Sequence, residues 1–180
     1  MIRRIGLEGG MPTNDLPDQA QQLEVFARKV LLALRQAGAS VATAESCTGG
    51  LLASLLTDIE GFGAVFDRGF VTYKESAKVQ VLGIPATLIS RFGIVSAEVA
   101  QAMADGAQRL SEATIAVGIT GYAGPAGKRN EEGLVHIAVV GRYGTHLLRE
   151  CHFGAAGRDV VRLRAAHAAL EMIDEIVRPR

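Results

Sequence analysis

The stretch Ala44-Glu45-Ser46-Cys47-Thr48-Gly49-Gly50 sets two hydroxyls and a thiol directly ahead of a glycine pair. A short β-like run over residues 40–45 leads into it, and residues 51–57 read as a helix that starts straight after the glycines. In open α/β sheets, ligands bind beyond the carboxyl ends of the strands. Backbone N–H groups at a helix start attract anions or a developing oxyanion. Glycines and small hydroxyl residues let a substrate approach that backbone. Ser46 is therefore a candidate nucleophile, with Glu45, Thr48, Gly49 and Gly50 as candidates to line the substrate. Ser46 and Thr48 would serve equally well as caps of the following helix. Cys47 competes as nucleophile, because a thiol at a helix start has a lowered pKa. A free cysteine is nevertheless more often a small buried apolar residue.

A serine hydroxyl needs a base, and a desolvated lysine can be one. Tyr73, Lys74 and Lys78 lie where a second apolar strand, residues 69–73, gives way to a short helix over 75–82. Positions 74 and 78 share a helical face. A lysine acting there must titrate well below its usual value near 10.4. Two solvated lysines on a surface helix are the plain alternative.

A third group follows the continuous apolar strand 114–119, as Thr120-Gly121-Tyr122-Ala123-Gly124-Pro125-Ala126-Gly127-Lys128-Arg129. It lacks the spacing of a nucleoside-triphosphate loop, since five residues separate Gly121 from Gly127 and Arg129 stands where Ser or Thr is needed. A more general anion-binding loop is the remaining reading. Arg158 and Arg162 sit one turn apart at the start of the last helix, where they could grip phosphate or simply form a charged face. Position 49 is Gly, so Ser46 starts no SxxK motif; a GxSxG elbow and HExxH are also absent. His136, His146, His152 and His167 are scattered without metal-ligand spacing.

The elements that carry these groups alternate. Helices are expected over 19–37, 51–57, 75–82, from Ser96 onward and over 158–177. Strands are expected over 40–45, 69–73, 114–119, 134–140 and 146–153, the last two joined by the hairpin Gly141-Arg142-Tyr143-Gly144. Alternation ending in two adjacent strands predicts an α/β protein, a three-layer α/β/α sandwich around a mostly parallel mixed sheet. Residues 1–18 read as a flexible tail, and residues 19–180 as one domain. Lys plus Arg equals Asp plus Glu at 19 each, so a nucleic-acid partner is not expected. No apolar run reaches the roughly 20 residues of a membrane span. Two cysteines without a CxxC point to a reducing, cytoplasmic setting.

Read together, the motifs resemble the CinA C-terminal domain family. The resemblance rests on Ala44–Gly50; on Arg68-Gly69-Phe70-Val71-Thr72-Tyr73 with Ala77-Lys78 and Leu82-Gly83; and on Gly93-Ile94-Val95-Ser96. It extends to Gly118-Ile119-Thr120-Gly121 with Ala123-Gly124-Pro125, and to Phe153 through Gly157-Arg158-Asp159-Val160-Val161-Arg162. Ala155 and Ala156 stand where the family commonly carries a short acidic or polar residue. The resemblance implies a five-stranded mixed sheet, no metal and no cofactor, and a small nucleotide as ligand. It implies hydrolysis of the carboxamide of nicotinamide mononucleotide to nicotinate mononucleotide and ammonia. Ser46 would be the nucleophile, with Tyr73 and Lys78 beside it and Thr120 at the substrate. Lys78 rather than Lys74 matches the family's lysine. On this reading, neutral Lys78, helped by the Tyr73 hydroxyl, takes the Ser46 proton, and N–H groups near Thr48–Gly50 hold the oxyanion. Gly121, Gly124 and their loop, Arg158, or both hold the phosphate. The resemblance also suggests the stand-alone form of a domain that often follows a larger one, with a homo-oligomer compatible. A non-catalytic pyridine-nucleotide-binding regulatory domain, linked to competence or DNA damage, is the other expectation.

Overall fold

Five consecutive buried residues, Val41–Glu45, form β1, and strands hidden on both faces belong in the middle of a covered sheet. β1 pairs in parallel with β2 (Phe66–Val71) on one side and with β3 (Ile115–Gly121) on the other. β4 (Leu134–Gly141) runs antiparallel to β3, and β5 (Thr145–His152) antiparallel to β4. The order is β2-β1-β3-β4-β5, with β4 alone reversed in direction. The computed structural model describes residues 16–127, 130–141 and 144–178.

The two faces of the sheet are built differently. One presents Val117, Ile119, Ile137 and Val139 to α1 (Leu16–Gln36), α2 (Leu51–Thr57) and α6 (Arg158–Val177), which supply Leu23, Leu31, Leu52, Leu170 and Ile173. The other presents mainly small residues, Ala42, Ala44, Ala116 and Ala138. These let α5 (Ala97–Arg109) lie close to the sheet, where Val99 and Met103 join Leu82 of α3 (Glu75–Leu82) and Ile89 of α4 (Ala86–Phe92). Gly118 marks the closest approach: a Cβ there would lie 2.1 Å from the Ala100 carbonyl oxygen. The three-layer α/β/α architecture expected from the alternating pattern is the one observed.

Several boundaries differ from expectation. α1 begins at Leu16, so residues 16–18, assigned to the tail, are helical; residues 1–15 lie outside the described residues. β2 starts at Phe66 and ends at Val71, which puts Tyr73 beyond the strand. Register with β1 selects it, since Phe66 pairs with Val41 and Val71 with Glu45. α4 was not foreseen: its seven residues, entered from Pro85 and ended at Gly93 with φ 84°, give too few turns for a periodic pattern. The β4–β5 pairing fits the expected hairpin, although Arg142 and Tyr143 lie outside the described residues. Among the described residues, no helix is long and apolar enough to cross a membrane.

Candidate active site

Alternation along β1 sends Ala42 and Ala44 toward the α5 face, and Ser46 continues that side just past the strand end. α3 lies on the same face, and from it Lys78 reaches in. Its Nζ donates to Ser46 Oγ at 2.9 Å and to the Thr72 carbonyl oxygen at 2.6 Å. Lys78 is fully buried and Ser46 is 6% exposed. Burial lowers the lysine pKa from the usual 10.5 to about 8, because the charged form loses its water. Lys74, the other lysine of the pair, is exposed at the start of α3. The ambiguity between the two is resolved by burial.

The turn that carries Ser46 is closed by its own backbone. The Gly49 N–H donates to the Ser46 carbonyl at 3.1 Å, and the Leu51 N–H to the Thr48 carbonyl at 3.3 Å. Gly49 and Gly50 adopt φ of 68° and 94°, a region that disfavours side chains. Glu45, expected beside the substrate, instead caps α2. Its fully buried carboxylate accepts from the Leu52 N–H at 3.1 Å and the Ala53 N–H at 2.9 Å. The helix start thus already holds an anion, and it belongs to the protein. Among the described residues, the hydrogen bonds of the turn leave out the N–H groups of Cys47, Thr48 and Gly50. Among the described residues, the Thr48 hydroxyl is buried without a hydrogen-bond partner.

Cys47 faces the opposite core, and burial pushes its thiol up to about 12. That environment keeps it a thiol, against the lowered value expected at a helix start. Tyr73 is 61% exposed, and its carbonyl oxygen lies 3.5 Å from Lys78 Nζ. Its phenol is not part of the hydrogen bonding that joins Ser46 to Lys78. Thr120 lies one strand over on the same face, where its hydroxyl donates to the Ile94 carbonyl at 2.9 Å. Gly121 packs against β4, where a Cβ would come within 2.7 Å of the Leu134 carbonyl oxygen. Gly124 has the Arg158 guanidinium against it, 2.8 Å from where a Cβ would stand, so loop and arginine do meet. Lys128 and Arg129 lie outside the described residues.

The contact that sequence reasoning missed is from Arg162, whose Nε donates to the Cys47 carbonyl at 2.9 Å. Its signal was present only as an arginine one turn after Arg158. Arg162, Asp159, Thr48, Gly49 and Ser54 line a cleft of about 640 Å³ on the α2–α6 side of the turn. The histidines serve elsewhere: His136 beside Glu150, His146 on Gln101, His152 between Glu131 and Glu150, and His167 stacked on Phe26. Among the described residues, no group of three or more His, Cys, Asp or Glu is arranged to hold a metal ion.

Comparison with known proteins places the chain in a family. The family model of the CinA C-terminal domain matches residues 23–177. The chain belongs to that family. A CinA-like protein of Anaeromyxobacter dehalogenans strain 2CP-C is 47% identical to this CinA domain over 146 residues, 80% of the chain and 35% of the relative. One from Anaeromyxobacter sp. strain K is 44% identical over 95% of the chain and 40% of the relative. The chain therefore spans 35–40% of the length of these curated relatives. Among solved structures, the competence/damage inducible protein CihA of Agrobacterium tumefaciens superposes with a TM-score of 0.84 at 44% identity, covering 87% of this chain and 96% of that one. A CinA superfamily protein of Klebsiella pneumoniae 700603 gives 0.82 at 32% identity, over 86% and 97% of the two chains. These matches fix the family and the fold of this CinA domain.

Proposed function

We propose that this CinA domain is an amidohydrolase that cleaves the carboxamide of nicotinamide mononucleotide, giving nicotinate mononucleotide and ammonia. The observation that carries the reaction class is the 2.9 Å contact between Lys78 Nζ and Ser46 Oγ in a buried site where the amine titrates near 8. A lysine so tuned keeps a minor neutral fraction near physiological pH, which grows as pH rises through about 8 and can accept a hydroxyl proton. The substrate follows from the family resemblance of the motifs around the site.

The Ser46 proton passes to Lys78 as Oγ bonds the carboxamide carbon and the carbonyl electron pair moves onto oxygen. The tetrahedral intermediate collapses, the C–N bond breaks, and the Lys78 ammonium returns its proton to the leaving nitrogen as ammonia departs. Water then adds to the acyl-Ser46 ester, Lys78 carries its proton to Oγ as the acyl C–Oγ bond breaks, and the carboxylate is released. The Thr72 carbonyl, 2.6 Å from Nζ, and the Tyr73 carbonyl steer the amine toward Ser46. The Tyr73 ring, exposed and next in sequence to Thr72, would on this reading wall the bound pyridine ring. Arg158, whose guanidinium lies against Gly124, is on this reading the cation that meets the phosphate.

Ammonia release from the mononucleotide tests the reading, with Ser46→Ala and Lys78→Ala beside the parent. Ser46→Ala is expected to abolish release while retaining fold and ligand binding. If the parent binds the mononucleotide and releases no ammonia, the domain is a regulatory binding module. If Ser46→Ala still turns over, the nucleophile lies elsewhere.

A further inference from the structure

Arg162 is the one side chain of α6 that reaches the nucleophile turn by a direct hydrogen bond among the described residues, joining positions 115 residues apart. The bond goes to the carbonyl of the Cys47–Thr48 peptide, not to a side chain. In a trans peptide, the C=O and N–H point in opposite directions. α6 covers the face whose core contains the Cys47 side chain, while Ser46 and Lys78 meet on the other face. Drawing the Cys47 carbonyl toward α6 therefore turns the Thr48 N–H away from α6, toward the Ser46 side. The N–H groups of Gly49, Leu51, Leu52 and Ala53 are engaged, on Ser46, Thr48 and Glu45; those of Cys47 and Gly50 make no such bond among the described residues, but neither belongs to the peptide that Arg162 holds.

We propose that Arg162 is a positioning residue, which holds the Cys47 carbonyl so that the Thr48 N–H is aimed at the oxyanion of the intermediate formed on Ser46. This rests on the amidohydrolase reading above. A cationic donor on the carbonyl also polarises the peptide and strengthens its N–H as a donor. Gly49 belongs to the same device. A Cβ there would stand 3.2 Å from the Arg162 guanidinium, at a φ of 68°. The turn leaves room for the arginine because that residue is glycine. The competing assignment, a grip on the substrate phosphate from the neighbouring cleft, leaves unexplained why Nε is committed to a backbone oxygen.

The two assignments separate kinetically. Arg162→Met and Arg162→Lys are compared with the parent in ammonia release from the mononucleotide and in the burst of p-nitrophenyl acetate, which reports acylation of Ser46 without any nucleotide. Losing an oxyanion donor costs about 100- to 1000-fold. Misaiming one is expected to lower kcat and the ester burst rate by about 10- to 100-fold in Arg162→Met, with KM for the mononucleotide unchanged. Arg162→Lys should fall between, and added guanidinium ion should partly restore Arg162→Met. A raised KM at constant kcat would overturn the proposal in favour of phosphate binding. Unchanged ester acylation in the folded variants would overturn it as well. If the parent releases no ammonia, the nucleotide reading fails, and the ester burst alone decides the role of Arg162: a parent that shows no burst defeats it. Should Arg162→Met not fold, Arg162→Lys carries the same comparison.

Discussion

A lysine with no exposed surface is an unusual residue to place in a core, and here both its cost and its use follow from one number. Burial lowers the Lys78 pKa from 10.5 to about 8, because the charged form loses its water. The base form is the useful one, so kcat/KM should rise with pH through about 8 and level off above it, a limb that Lys78→Ala removes. A pH profile flat between 6 and 9 in the parent would contradict it. The same shift has a stability sign. Below pH 8 the lysine is charged in both the folded and unfolded chain, and the folded state carries the full penalty. Between 8 and 10.5 the unfolded chain binds more protons than the folded one, so stability rises with pH, and above 10.5 the penalty is gone. Lys78→Met should therefore be inactive yet more stable at pH 7, by up to about 3 kcal/mol. The difference should shrink as denaturant titrations move above pH 8. Cys47, with its thiol pushed up to about 12, has no thiolate to offer, and Cys47→Ala should retain ammonia release.

At the scale of elements, the site depends on how β1 hands over to α2. Glu45 closes that junction from below, with both carboxylate oxygens on helix N–H groups. Glu45→Gln keeps the shape but turns an amide NH2 toward one of the two N–H donors, leaving that one unsatisfied. A loss of about 2 kcal/mol in denaturant unfolding is expected, together with lower activity because Ser46 shares the turn. Full stability in this variant would mean that the cap is dispensable. Little of this was legible in the sequence, since a cap is normally sought next to the helix and Glu45 lies six residues before Leu51. The bounds of α2 and α6 were legible, because a glycine pair starts one and a Gly-Arg step starts the other. The buried strands β3 and β4 were legible to within a residue or two, since burial on both faces writes a continuous apolar run. The edge strand β2 was shifted: Phe66-Asp67 reads as the end of a loop until β1 is there to pair with it. The choice between Lys74 and Lys78 needed a tertiary fact, which of the two is buried. The Arg162–Cys47 bond, across 115 residues, needed the whole fold.

On the scale of the whole molecule, the serine and its lysine come from opposite excursions of the chain. After β1 the chain crosses one face through α2 to reach β2; after β2 it crosses the other through α3, α4 and α5 to reach β3, on the far side of β1. The end of β1 is thus where the two connections part, the usual place for a cleft in an open α/β sheet. Keeping Lys78 over Ser46 then depends on how closely the α3–α5 layer sits on the sheet, which the small residues of that face govern. Gly118 is the narrowest point: an added methyl would lie 2.1 Å from the Ala100 oxygen and 2.6 Å from the Ala104 nitrogen, both backbone atoms that cannot turn aside. Gly118→Ala should force α5 outward and destabilise the domain by at least about 3 kcal/mol, the upper part of the range for overpacking. Because β3 lies between both cores, the loss should appear in one cooperative transition, with amides of Leu170 in α6 and of Met103 in α5 losing hydrogen-exchange protection together. The folded fraction should also lose ammonia release as Lys78 withdraws from Ser46. Gly63→Ala, where a Cβ would meet nothing within 4 Å, is the matched control. Protection lost in α5 alone, with α6 unaffected and activity intact, would show that the two layers are independent and that the spacing of α5 does not set the geometry of the site.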